Sequence, residues 1–147
     1  MSAEENKAIV RQVYEVFSSG NLDDLDQLLA TDIVDHNPVP GQLPGLAGVK
    51  QVMHEFQATF PDLQIMAEDM LAEGDKVAAR ITQRGTHQGT FMGMPPTGKQ
   101  VTVSGMDLVR LVDGKVAERW GNGDDLGMLQ QLGLMPAPGQ ATQEAGA

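Results

Sequence analysis

Apolar residues recur at helical spacing through the first turns of the chain. Ile9, Val10, Val13, Tyr14, Val16 and Phe17 fall on one stripe, Ser2 and Glu5 have the spacing of a capping box, and Gly20 follows as a stop. The pattern predicts a long opening helix. The stretch NLDDLDQLLA predicts a second, short helix, with Asn21 as its cap and Leu22, Leu25, Leu28 and Leu29 facing inward. DIVDH has the length of a brief strand, and NPVPGQLPGLAG, with its three prolines and three glycines, must be a loop. A third helix is expected from Gly48 to Phe60, with Val49, Val52, Met53, Phe56 and Phe60 on one face and Pro61 ending it.

From there the period changes to two. Leu63, Ile65 and Ala67 alternate with Gln64, Met66 and Glu68, and the turn EGDK leads into VAARITQRGTHQG. GMPPTGKQ is a turn-rich connection to VTVSGMDLVRLV, and Asp113-Gly114 between alternating runs predicts a hairpin with VAERWGNG. A last helical turn, LGMLQQLG, follows. Helices first and strands afterwards predict an α+β fold. A curved antiparallel or mixed sheet packs against about three N-terminal helices, cone-shaped and enclosing a pocket at its open end. Residues 1–135 form one domain in this reading, and residues 136–147, poor in apolar side chains, a disordered tail.

Composition removes several function classes. Acidic residues outnumber basic ones 20 to 10 and no Lys/Arg-rich run occurs, which disfavours nucleic acid as a partner. No stretch reaches the roughly 18 apolar residues a membrane helix needs. The start MSAEENKAIV lacks the order of a secretory signal, so the cytoplasm is the expected location. Cysteine is absent, which excludes thiol nucleophiles and thiolate metal sites. The three histidines, His36, His54 and His87, have no metal-ligand spacing, so no metal is expected.

Several stretches in register carry a family resemblance: FSSGNLDDLDQLLA, FPDL, GTHQGTFMGMPPTGK, VRLVDGKV and ERWGNGDDLGMLQQLG. With these the chain resembles the SnoaL-like polyketide cyclases (ester cyclases), a branch of the nuclear transport factor 2-like superfamily. The resemblance implies a cone-shaped α+β barrel, a homodimer or tetramer, and acid/base chemistry on a small apolar carbonyl compound without metal or organic cofactor. It also implies a ring-closing aldol step by a carboxylate that follows the residue matching Trp120, paired with a His on the neighbouring strand. Here those two positions hold Gly121 and Asp107.

Strand parity suggests how chemistry is retained. Asp107 and Gly121 should lie side by side across the hairpin, with Arg119 on the same face as Gly121. Asp107 is therefore the candidate base and Arg119 its electrostatic partner, with Asp124 as a second candidate carboxylate. His36, His87, Trp120, Asn122 and Met106 are the remaining candidates for substrate contact. Each has an ordinary structural reading beside the functional one. Asp124 fits a helix cap, Trp120 has a parity opposed to Asp107 and suits a core or an interface, and His87 suits a turn anchor. Two other functions stay open: a non-catalytic ligand-binding or dimerisation module, and an epoxide hydrolase-like enzyme in which Asp107 and Arg119 place a water.

Overall fold

A computed structural model describes residues 1–136; the expected tail from residue 137 onward lies outside the described residues. Helix α1 runs Ala3–Ser19. The Ser2 hydroxyl accepts the Glu5 N–H and the Glu5 carboxylate accepts the Ser2 N–H, both at 3.1 Å, so the capping box forms as the sequence predicts. Gly20, at φ 85°, closes the helix by donating its N–H to the Val16 carbonyl.

The segment NLDDLDQLLA divides differently from the expectation. Leu22–Gln27 is a 3₁₀ helix, while Leu29 already opens strand β1, Leu29–Asp35. The four leucines still point inward, but the last serves a strand. Helix α2, Gly45–Thr59, begins three residues earlier than predicted, inside the Pro/Gly segment. Strands β2 (Gln64–Glu73), β3 (Lys76–Thr86), β4 (Gln100–Val112) and β5 (Lys115–Gly123) follow, and α3 (Asp125–Gln131) ends the fold.

The sheet is five-stranded, in the order β1-β5-β4-β3-β2. Strands β2 to β5 are an antiparallel meander, and β1 pairs parallel with β5. The topology follows from the crossing of α2: the chain leaves β1, passes over one face as a helix, and enters the sheet at the far edge. The meander then returns until β5 lies beside β1. The sheet is not closed, and β1 and β2 are its edges. Among the described residues, no helix is long and apolar enough to cross a membrane.

Alternation along the strands sorts the two faces. Val77, Ala79 and Ile81 of β3 and Val101, Val103, Val109 and Leu111 of β4 are buried on the inner face, against Val10, Val13 and Val16 of α1. A register shift between Ala67 and Asp69 changes the parity of β2, so Met70 and Ala72 pack inward beyond it. The helices do not fill the whole concavity, and the space they leave is the cavity described below.

One close approach fixes how α2 enters. A Cβ on Gly48 would overlap the backbone carbonyl oxygen of Leu43, in the loop that runs over the cavity. The obstacle is backbone, so it cannot rotate away. Gly48→Ala should therefore lower stability by about 1–3 kcal/mol despite alanine's better helix propensity. The expected result is a lower denaturation midpoint with an unchanged m-value in urea unfolding.

Candidate active site

Three strands converge on one polar cluster. Asp35 of β1 lies beside Arg119 of β5, and Asp107 of β4 lies opposite Gly121. The Arg119 side chain therefore has a carboxylate on each flank. Its Nη1 donates to Asp35 Oδ1 at 3.1 Å and Oδ2 at 3.3 Å, and its Nη2 donates to Asp107 Oδ1 at 3.1 Å. The second oxygen of Asp107, Oδ2, accepts the Tyr14 hydroxyl at 2.8 Å. The two carboxylate side chains are only 13% and 10% exposed, for Asp35 and Asp107, and the guanidinium 35%.

Gly121 makes this arrangement possible. A Cβ there would overlap both the Arg119 guanidinium and the Asp107 carboxylate. The guanidinium lies across the position a side chain would occupy. The Gly121 N–H is also used: it donates to Asn37 Oδ1 at 2.9 Å. Asn37 in turn gives its own N–H to Asp35 Oδ1 at 3.0 Å, and Gln42 Nε2 donates to Asp35 Oδ2 at 3.2 Å. The loop after β1 is thereby latched to the cluster.

These groups form one wall of a cavity of about 240 Å³. Much of the remainder is apolar, contributed by Val13 and Phe17 of α1, Met53 and Phe56 of α2, and Ile81 and Val103 of the sheet. Burial, reinforced by the Asp107 charge and the hydrogen bond to it, pushes the Tyr14 phenol well above its ordinary value. Burial by itself pulls Arg119 down, but the Asp107 and Asp35 charges more than offset it and hold the guanidinium above its usual range. Two aspartates and one arginine give the cluster a formal charge of one unit negative.

The sequence candidates divide between this cluster and other places. Asp107 and Arg119 are in it. Asp124 is not among the cavity-lining residues: its Oδ1 accepts the Gly127 N–H at 2.9 Å and caps α3, while Asp125 lines the cavity instead. His36 and Trp120 lie on the outer face of the sheet, stacked with centroids 4.5 Å apart. His36 Nε2 is 2.7 Å from Glu118 Oε2, and this bond, followed by the one from Arg110, holds Glu118 below the ordinary carboxylate range. Met106 and Asn122, an outer-face pair, do not line the cavity either.

His87 is fully buried under the Gly89–Lys99 segment, away from the cluster. The Thr97 N–H donates to its Nδ1 at 3.2 Å, so the ring proton is on Nε2, which has no partner among the described residues and sits among Phe60 and Phe91. The ring anchors a turn. No group of three or more His, Asp or Glu side chains among the described residues is arranged to hold a metal ion.

Tyr14, Asp35, Asn37 and Gln42 were not singled out from the sequence. Asp35 had a usable signal: Ile33 and Asp35 share a face of β1, whereas His36 has the opposite parity.

Tyr14 is the chain's single tyrosine, so its ionisation can be followed directly. Because the folded-state pKa is raised, the associated stability is fully present below the unfolded value of about 10 and is lost as pH rises beyond it. Tyrosinate absorbance should stay flat through pH ~10 in the native protein. Asp107→Asn should recover part of the shift, because burial, which remains, is the larger cause.

Comparison with known proteins agrees with this architecture. Nogalonic acid methyl ester cyclase of Streptomyces nogalater is 32% identical over 121 residues, covering 80% of this chain and 89% of the relative. The aklanonic acid methyl ester cyclase DauD of Streptomyces sp. (strain C5) is 30% identical over 131 residues, covering 85% and 80%. Among solved structures, TsrD from Streptomyces laurentii superposes with a TM-score of 0.85 at 27% identity, covering 92% of this chain and 99% of that one. Residues 7–132 match the family model for SnoaL-like polyketide cyclases, and the chain belongs to that family.

Proposed function

We propose that the protein is a cyclase-type enzyme that removes a proton from carbon next to a carbonyl in a mainly apolar substrate, with Asp107 as the base. The observation that carries this reading is Asp107 itself, a nearly buried carboxylate on the cavity wall with Arg119 on one oxygen and Tyr14 on the other. The C–H electron pair passes into the enolate, whose carbon attacks a second carbonyl of the same molecule. One C–C bond forms, the carbonyl π pair becomes an alkoxide, and the proton held by Asp107 returns to that oxygen. Arg119 N–H groups not engaged by the two carboxylates favour the developing oxyanion. The net negative wall favours neutral carbonyl compounds over free acids, and no step calls on a cofactor. The position of Gly121, where the resemblance leads one to expect a carboxylate, is consistent with the base having moved across the hairpin to Asp107.

A second reading draws on a different feature. One guanidinium shared by Asp35 and Asp107 also suits addition of water to an epoxide or alkene, with one carboxylate taking the water proton and the other carboxyl supplying one. Product mass in oxygen-18 water separates the two: hydration adds labelled oxygen, and ring closure leaves the mass unchanged.

The outer face of the sheet supports a homodimer. Trp120, Leu108, Ala78 and Leu71 are in cross-strand register and make an apolar row over four strands, with Leu71 75% exposed. Flanking it, Glu118, Arg110, Lys76 and Glu73 form a row of mixed sign. This face is close to neutral on a chain of net charge −10, so it is where a second copy approaches with least repulsion.

Two measurements test these readings. In deuterium oxide, the unmodified protein should exchange the α-carbon proton of aromatic β-keto esters, and Asp107→Asn should slow this by about 10²–10⁴-fold with the fold intact. Exchange that survives the substitution removes Asp107 as the base, and ligands that bind without exchange point to a binding module. In sedimentation, the unmodified chain should run as a dimer and Leu108→Glu as a monomer; a monomeric unmodified chain overturns the interface.

A further inference from the structure

The inner face of β3 reads Val77, Ala79, Ile81, Gln83, and the glutamine breaks an otherwise apolar series. Its cross-strand neighbours are Ile65 on β2 and Val103 on β4, both buried. Gln83 lines the cavity, and among the described residues its carboxamide makes no hydrogen bond to another side chain or to backbone. An amide between two buried apolar side chains contributes nothing to that packing that leucine or methionine would not, and it must be hydrated or bound by a ligand.

Its distance from the polar cluster is set by the strands. Gln83 pairs with Val103, four residues along β4 from Asp107, which is about 13 Å at a strand's rise per residue. The apolar stretch between them includes Ile81 and Gly105, which pair with each other. The cavity therefore has the Asp107 cluster at one end, Ile81 and Gly105 in the middle with the Asp125 carboxylate near Gly123, and one unused neutral amide toward the other end.

We propose that Gln83 is a specificity-determining residue that hydrogen-bonds a neutral oxygen, a hydroxyl or carbonyl, at the end of the substrate remote from the reacting carbon. This rests on the reading that the reacting carbon meets Asp107. It makes the substrate an extended compound with oxygens at both ends. An amide both donates and accepts, so it takes a phenol or a ketone, and being neutral it supplies no charge to offset the desolvation of a carboxylate.

The test uses a matched pair of probes: the methyl β-keto ester of 2-acylnaphthalene, and the same compound with a hydroxyl at the 6-position of the ring. Binding of both is measured by calorimetry to the unmodified protein and to Gln83→Leu and Gln83→Met, two apolar changes suited to the Ile65 and Val103 surroundings. The unmodified protein should prefer the hydroxylated ester by about 10-fold, and both variants should lose that preference while binding the parent ester as before. A preference that persists in both variants overturns the proposal. So does the absence of any preference in the unmodified protein, failure to bind either ester included. α-Carbon exchange is measured on the same samples. Preference without exchange upholds Gln83 and rejects the carbon-acid reading, whereas exchange without preference overturns Gln83 and leaves the carbon-acid reading standing.

Discussion

Arg119 gives one terminal nitrogen to Asp35 and the other to Asp107, and in doing so it ties the parallel edge strand to the interior of the sheet. A cluster of this kind adds little net stability, because removing charges from water costs about what their attraction returns. Its consequence is geometric. The planar guanidinium fixes both carboxylates in direction, and Asp35 in turn holds Asn37 and Gln42, so the loop after β1 takes its place from the same contact. The opening in β5 at Gly121 is the condition for all of it, since any side chain there would displace the guanidinium.

The two faces of the sheet have been put to different uses by one alternation. Inward parity gives Asp107, Arg119 and Gly121 to the cavity, and outward parity gives Trp120, Leu108 and Glu118 to the exposed face. His36 belongs with the second set: its stacking on Trp120 and its bond to Glu118 order the edge of that face. A residue moved by one position along β5 would change sides altogether.

This explains which parts of the molecule were legible in the sequence. The capping box at Ser2 and Glu5, the hairpin at Asp113-Gly114, the opposition of Asp107 and Gly121 and the cap at Asp124 are local or follow from strand parity. Such features are written in residue spacing. The parallel pairing of β1 with β5 is not written there, because it depends on the path of α2 across the sheet. Without that pairing Asp35 has no reason to meet Arg119, and His36, as the more conspicuous side chain, draws attention to the outer face. Tyr14 was visible as a member of an apolar stripe, but its hydroxyl finds Asp107 only through the docking of α1 on the sheet. His87 was conspicuous for its motif, and the motif is a turn anchored by a buried ring.

The contacts to Asp107 set a condition on the chemistry proposed for it. Asp107 takes a hydrogen bond from Tyr14 on one oxygen and from Arg119 on the other, so both oxygens are held in direction before a substrate arrives. A carboxylate base suits a carbon acid that is already acidified by two flanking carbonyls better than a simple ketone, because the substrate's conjugation carries the charge the carboxylate gives up. The same two donors remain in place when the proton has moved. Tyr14, held in its protonated form by burial and by Asp107, stays a donor throughout, and the guanidinium stays charged between its two carboxylates. In the proposed reaction the wall of the cavity would thus not have to reorganise as charge moved from carboxylate to enolate to alkoxide, which is the circumstance in which fixed dipoles and charges lower a barrier most.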